Sequence, residues 1–169
     1  KCGLLDPQGK ELLPMIYDSI DGLSEGRRRV YLNGKAGYMD ENFQVVIPYR
    51  YDPALWFEDG LAQVGQESLY GVIDREGNEV LPCVYNDIQI YEGGIIEAGL
   101  YSASGARYGL FDREGKEILP MEYDEIRNIE VIFDSDFGEY FVVVKYTETE
   151  RRCGVVDRQG NEKVPMIYD

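Results

Sequence analysis

One block recurs five times in this chain of 169 residues: Gly, two apolar residues, Asp, a short turn, then an apolar stretch closing on Pro and Tyr. The copies begin at Gly3, Gly37, Gly71, Gly109 and Gly154. In each, Pro follows the Gly by 11 residues and Tyr by 14, giving Pro14/Tyr17, Pro48/Tyr51, Pro82/Tyr85, Pro120/Tyr123 and Pro165/Tyr168. Such periodicity constrains architecture before any single residue does, because one block cannot bury its own apolar face and gains a core only by stacking on its neighbours. The Gly spacings of 34, 34, 38 and 45 divide a single repeat domain, 1–169, into units of about 1–34, 35–68, 69–106, 107–151 and a partial 152–169. The Gly-to-Tyr block keeps its length. The extra residues therefore fall around 101–107 and 128–152, which reads as the loop side of the array.

Each unit reads as three short strands. The first is Gly3-Leu4-Leu5-Asp6 and its four counterparts, and the turn follows at once. Asp6-Pro7-Gln8-Gly9 has Asp, Pro and Gly where a type I turn leading into a left-handed residue prefers them, and Asp74, Asp112 and Asp157 open the same pattern. In the second copy, Asp40-Glu41-Asn42-Phe43, the expected left-handed residue is Asn42 and the hairpin is expected to differ slightly. The second strand carries Leu13, Ile47, Leu81, Leu119 or Val164. Its Pro has no N–H to donate, and we expect it to end the strand or bend the chain. Tyr17-Asp18-Ser19-Ile20 and Tyr123-Asp124-Glu125-Ile126 read as bends with one inward anchor. A third strand begins near Gly26, Gly60, Gly94 and Gly138, and Asn33-Gly34 returns it as a hairpin. The expected class is all-β, a tandem array of short antiparallel hairpins stacked as an open solenoid or superhelix. A β-propeller-like ring is the alternative. Propeller blades take four strands in about 40 to 45 residues, and 34 residues leave room for about three.

Charge and composition then exclude whole classes of chemistry. A formal net charge of -15, from 32 acidic and 17 basic side chains, repels phosphate backbones, so nucleic acid is not an expected partner. The basic run Arg27-Arg28-Arg29 lies beside Asp21 and Glu25 and reads as a solvated strand. No apolar stretch approaches the roughly 20 residues that span a bilayer, so membrane insertion is not expected. The pattern is cut at both Lys1 and Asp169, and localisation is left open. The chain contains no histidine, which removes Ser-His-Asp and Cys-His catalysis and the common zinc-hydrolase ligand sets. No phosphate-binding or dinucleotide Gly motif is present, and no cofactor or catalytic residue is assigned. Three cysteines without a CxxC pair indicate neither a disulfide scaffold nor a zinc site. Cys2 and Cys153 share one repeat position, so a bond between them would point to ring closure.

The run Lys35-Ala36-Gly37-Tyr38-Met39-Asp40, then Val46-Ile47-Pro48-Tyr49-Arg50-Tyr51-Asp52 and Phe57-Glu58-Asp59-Gly60-Leu61-Ala62-Gln63-Val64, resembles the WG (KWG) repeat family of bacterial proteins. The resemblance covers essentially the whole chain and is best from Trp56 through Tyr85. The Trp that precedes the Gly in that family is replaced here by Cys2, Ala36, Tyr70, Tyr108 and Cys153. The resemblance implies a β-rich array with no common catalytic centre and a role in binding other macromolecules.

Two ladders of repeated residues are the candidates for function. The Asp ladder (Asp6, Asp40, Asp74, Asp112, Asp157) has the spacing of turn formers, which hydrogen-bond their own backbone two residues on. Carboxylate pairs for cations or glycoside hydrolysis are the competing reading. The Tyr ladder is followed by Asp or Asn, and Tyr joins apolar area to a polar handle, so Tyr51, Tyr85 and Tyr123 with Trp56 are the candidate partner-binding residues. Core packing is the alternative for each Tyr. Asp134-Ser135-Asp136-Phe137-Gly138 resembles the start of a calcium loop but lacks its spacing and its terminal Glu. The function these features favour is a non-enzymatic scaffold that binds a protein or peptide partner through repeated faces, an exposed edge strand or the longer loops. A carbohydrate-binding module with Trp56 stacking on sugar rings is the second reading.

Overall fold

The computed structural model describes residues 1–133 and 136–168, and no side chain is described for 130–138 or 168. The described residues form two compact units, Lys1–Tyr85 and Asn86–Asp169. Among the described residues all regular structure is antiparallel β apart from one 3-10 turn, Glu92–Gly94.

In the first unit, β1 (Cys2–Leu5) pairs with β2 (Glu11–Tyr17). The next sheet is a four-stranded meander of β3 (Ser19–Ser24), β4 (Arg27–Leu32), β5 (Lys35–Met39) and β6 (Val45–Tyr51). A three-stranded sheet follows with β7 (Leu61–Gln66), β8 (Leu69–Asp74) and β9 (Glu79–Tyr85), and a single bridge from Ala54 to Val64 stands where its fourth strand would be. The second unit holds two further meanders. One is β10 (Asp87–Ile90), β11 (Ile96–Ser102), β12 (Gly105–Phe111) and β13 (Glu117–Tyr123); the other is β14 (Glu125–Phe133), β15 (Asp136–Tyr146), β16 (Arg151–Asp157) and β17 (Glu162–Tyr168).

A complete sheet thus has four strands, not the three read from sequence. The missing strand is the segment after Tyr-Asp that looked like a bend: Ser19–Ser24, Asp87–Ile90 and the start of β14. Each sheet is also offset from the sequence repeat, beginning after one Tyr and ending on the next. Four strands fit in 34 residues because they are four to seven residues long and joined by tight turns such as Asn33-Gly34, where φ is 53° and 76°. The strand count was the ground for preferring an open stack over a ring, and that ground falls away.

The repeat Pro does not end its strand either. Pro14, Pro48, Pro82, Pro120 and Pro165 lie inside β2, β6, β9, β13 and β17, each the last strand of its sheet. An edge strand tolerates a missing donor. The ladder also slips there: Tyr38 pairs with Ile47 and Ala36 with Tyr51, so the Pro strand carries extra residues as a bulge. The bulged backbone crowds the repeat Gly opposite. A Cβ on Gly37 would lie 2.5 Å from the Ile47 carbonyl oxygen, and one on Gly71 would lie 2.5 Å from that of Leu81. The five glycines share this setting, which is why the block begins with Gly.

The cores lie between successive sheets. Leu13, Tyr17, Val30 and Met39 pack between the β1–β2 and β3–β6 sheets. Ile47, Tyr51, Tyr38, Phe57, Val64 and Ile73 pack between β3–β6 and β7–β9. In the second unit Leu110, Leu119, Phe141, Val143 and Val156 pack between its two sheets. Burying a side chain of this size contributes about 1.5–3 kcal/mol, and no sheet here has enough such residues on both sides without its neighbour. The residues that lengthen the fourth repeat extend a hairpin rather than a loop, since β14 and β15 pair continuously from Glu125↔Val144 to Phe133↔Asp136. No helix among the described residues is long and apolar enough to cross a membrane.

Candidate functional site

The repeated polar residues are consumed by the architecture. In every copy the Asp that opens the turn accepts two backbone N–H bonds at 2.8–3.0 Å, as Asp6 does from Gln8 and Lys10 and Asp157 from Gln159 and Asn161. The second copy makes the same turn, with Phe43 rather than Asn42 at the left-handed position (φ 61°). Its ring packs on the Leu13 cluster and under the Arg28 guanidinium, which offsets the backbone strain. In three copies the Asp or Asn after the repeat Tyr is likewise an acceptor. Asp18 takes the Gly34 N–H at 2.8 Å, Asn86 that of Tyr101 at 2.8 Å and Asp124 that of Tyr146 at 2.7 Å, and an amide oxygen serves as well as a carboxylate.

The Tyr ladder does not form one surface. Tyr51 is 1% exposed and sits in the core, its hydroxyl accepting from Arg50 Nη2 at 2.6 Å. Tyr85 and Tyr123 are half-buried at the ends of β9 and β13, and the Lys145 ammonium lies 4.7 Å from the Tyr123 ring centroid. Burial pushes the Tyr51 and Tyr123 hydroxyls above their ordinary pKa. Trp56 is different. It is 37% exposed and Leu55 beside it 46%, while the flanking Ala54 and Phe57 are buried at 0% and 1%.

The Leu55-Trp56 pair rides on an irregular segment that is fixed from beneath. Ala54 bridges Val64, and Leu55 N–H donates to the Gln63 carbonyl at 2.9 Å. Three carbonyls of the segment accept from side chains of the preceding sheet: Ala54 from Arg29 Nη1 at 2.6 Å, Leu55 from the Tyr38 hydroxyl at 2.5 Å and Phe57 from Ser24 Oγ at 3.0 Å. Tyr38 is a fully buried donor whose pKa burial raises further, so it keeps its proton. Phe57 meets the Tyr38 ring edge-on at 4.8 Å. The Arg29 guanidinium carbon lies 4.6 Å from the Trp56 ring centroid and 5.7 Å from that of Tyr31, while its Nε bonds Asp21 at 2.6 Å. The exposed pair thus stands on a segment held by three side-chain hydrogen bonds.

Arg29 belongs to the basic run that reads as a solvated strand, and the structure corrects that reading. All three arginines are half-buried on β4. Arg28 bonds the Asp21 carbonyl at 2.7 Å and Arg27 the Arg75 carbonyl at 2.7 Å, so the run ties β4 to its own hairpin and to the next sheet. Two of the partners, the Arg75 and Ala54 carbonyls, are distant in sequence. The one local signal was Tyr31, two residues beyond Arg29 and hence on the same strand face.

Among the described residues no group of His, Cys, Asp and Glu side chains could hold a metal ion, and the three cysteines are free thiols. The calcium-loop resemblance at 134–138 lies outside the described side chains. A cleft of about 390 Å³ in the second unit is lined by Asp87, Glu97, Tyr108, Asp124 and Glu125. Its carboxylates are largely engaged: Asp124 with Arg107, Glu125 with Arg127 and Glu97 with the Tyr91 hydroxyl at 2.6 Å. An acid and base pair for glycoside hydrolysis needs carboxyls free to exchange protons with a substrate, and three of the four carboxylates here already have a partner in the protein.

The sequence profile described as "WG containing repeat" matches residues 3–35, 37–70, 70–98 and 108–130, and its hits follow the block that places Gly against the Pro bulge. No curated protein matches the chain. The four matches start at or next to the repeat Gly and together cover well over half of the residues, so the chain belongs to the WG-repeat family.

Proposed function

We propose that this chain is a non-enzymatic scaffold that binds a protein or peptide partner, with the Leu55-Trp56 platform as its anchor. The observation that supports this reading is an exposed Leu-Trp pair on a segment whose carbonyls are pinned by Arg29, Tyr38 and Ser24. Binding hot spots are enriched in Trp, Tyr and Arg, and an anchor ordered in advance loses little entropy on binding. Tyr51 takes no direct part because it is core. One edge of each sheet, the strand β2, β6, β9, β13 or β17, is a poor site for strand addition, since its Pro and bulge interrupt the row of donors. Recognition through side chains is favoured over β-augmentation at those edges.

Trp56 is the sole Trp of the chain, which makes its fluorescence a site-specific reporter. A photo-cross-linker at position 56 should capture a partner, and Trp56→Ala should weaken that partner's binding by about ten-fold or more. Equal binding by wild type and Trp56→Ala would refute the anchor. The carbohydrate reading shares Trp56 and predicts glycan-array hits that the same substitution abolishes.

A further inference from the structure

We propose that the partner seated on the Leu55-Trp56 platform is a basic peptide segment, an apolar side chain flanked by Lys or Arg, a proposal that rests on that platform being the anchor. The exposed pair is framed by carboxylates. Asp52 precedes it and Glu58 follows it, both exposed, and neither pairs with a cation among the described residues. Glu25 stands alongside, because Ser24 bonds the Phe57 carbonyl at 3.0 Å and Glu25 Oε2 accepts the Gly60 N–H at 2.8 Å. A backbone N–H satisfies one oxygen of Glu25 and leaves its charge in place.

The cations nearby are engaged within the chain. Arg29 bonds Asp21 at 2.6 Å and the Ala54 carbonyl at 2.6 Å, so its charge is already countered where it meets the Trp56 ring. Arg27 bonds the Arg75 carbonyl at 2.7 Å and lies 3.9 Å from Glu76, and Arg50 bonds the Tyr51 hydroxyl at 2.6 Å. Residues 36–85, which carry the platform, contain nine Asp and Glu, two Arg and no Lys. An acidic partner would bring its carboxylates against like charge with no cation left to receive them. A basic partner meets opposite charge on both sides of its apolar anchor, and the net charge of -15 draws it in from a distance. Charge alone would leave such a segment without a fixed place. The Leu-Trp pair supplies one, since buried anchors hold a complex that rim charges steer.

Three end-blocked peptides that carry one Leu-Phe core between pairs of Lys, of Ser or of Glu test this. None contains Trp, so the emission of Trp56 in the full chain reports their binding. The Lys-flanked peptide should bind about ten-fold or more tighter than the Ser-flanked one, the Glu-flanked peptide should bind least, and the Lys advantage should shrink as salt rises. Asp52→Asn with Glu58→Gln should weaken the Lys-flanked peptide by about three-fold or more and leave the Ser-flanked peptide unchanged. Glu148→Gln with Glu162→Gln removes the same charge from exposed positions of the second unit and should change neither. All four substitutions fall on exposed side chains and leave the fold intact. Equal binding of the Lys-flanked and Ser-flanked peptides, a Lys-flanked peptide that leaves Trp56 emission unmoved, or equal losses in the two double variants would each overturn the basic partner while leaving the platform as anchor. Calorimetric binding of the Lys-flanked peptide that is the same for wild type and Trp56→Ala would remove the platform itself, and the proposal with it.

Discussion

The Tyr38 hydroxyl donates to the Leu55 carbonyl at 2.5 Å, and this bond joins the best-buried strand of one sheet to the exposed anchor of the next. Tyr38→Phe keeps the ring against Phe57 but leaves the carbonyl without its donor. The loss should be about 1–2 kcal/mol of stability. Trp56 emission should shift to the red and its anisotropy fall, because the segment beneath it loosens. Partner binding should weaken although Tyr38 is 1% exposed and cannot touch a partner. An unchanged Trp56 signal in Tyr38→Phe would show that Arg29 and Ser24 alone hold the platform.

Gly37 and Gly22 make a matched pair for testing the repeat glycine. A Cβ at position 37 collides with the Ile47 carbonyl at 2.5 Å and the Pro48 carbon at 2.8 Å, all backbone that cannot step aside. A Cβ at position 22 meets nothing within 4 Å. Gly37→Ala should therefore cost at least about 1–3 kcal/mol, the usual penalty of overpacking. Gly22→Ala should be neutral or slightly stabilising through the unfolded chain. Urea denaturation of both variants decides it, and equal midpoints would dismiss the close approach as the reason for the conserved block position within this chain.

Asp74 bonds the Glu76 and Asn78 N–H groups and, through its second oxygen, the Asn78 amide at 2.8 Å. Asp74→Ala removes all three acceptor contacts at a mostly exposed turn. A loss of about 1–2 kcal/mol is expected, with Asp74→Asn keeping much of the stability because one amide oxygen still reaches both backbone donors. Thermal melts of the two variants should separate clearly.

These cases also show where the sequence was legible. The turn Asp and the repeat Gly act within a few residues of themselves or at a fixed offset, so their spacing alone exposes them. The Pro was misread because its tolerance depends on being at a sheet edge, and edge position is a property of pairing rather than of the local sequence. The fourth strand was missed for a related reason: Asp87–Ile90 has only four residues and its alternation is too short to register. Arg29 was misjudged because charge counting finds its ion-pair partner Asp21 nearby, whereas its other partners, the Ala54 carbonyl and the Trp56 ring, lie about 25 residues away. Trp56 stood out in the sequence, but its footing comes from Tyr38, Ser24 and Arg29.

Glu97 offers a test of the acidic cleft through pH. Burial raises its pKa above the usual 4.5, opposed by the hydrogen bond from Tyr91 and assisted by the nearby Asp87 charge. A carboxyl whose pKa is higher in the folded than in the unfolded protein binds its proton more tightly when folded. Its contribution to stability is therefore full below pH 4.5 and is lost as pH rises through the raised folded value. Glu97→Gln stays neutral throughout and can still accept from Tyr91. The variant should be more stable than wild type at pH 7, no more stable at pH 4, and flatter in its pH dependence between them. Urea midpoints at the two pH values measure this, and a variant less stable than wild type at pH 7 would mean that the charged carboxylate is held by compensating bonds rather than strained by burial.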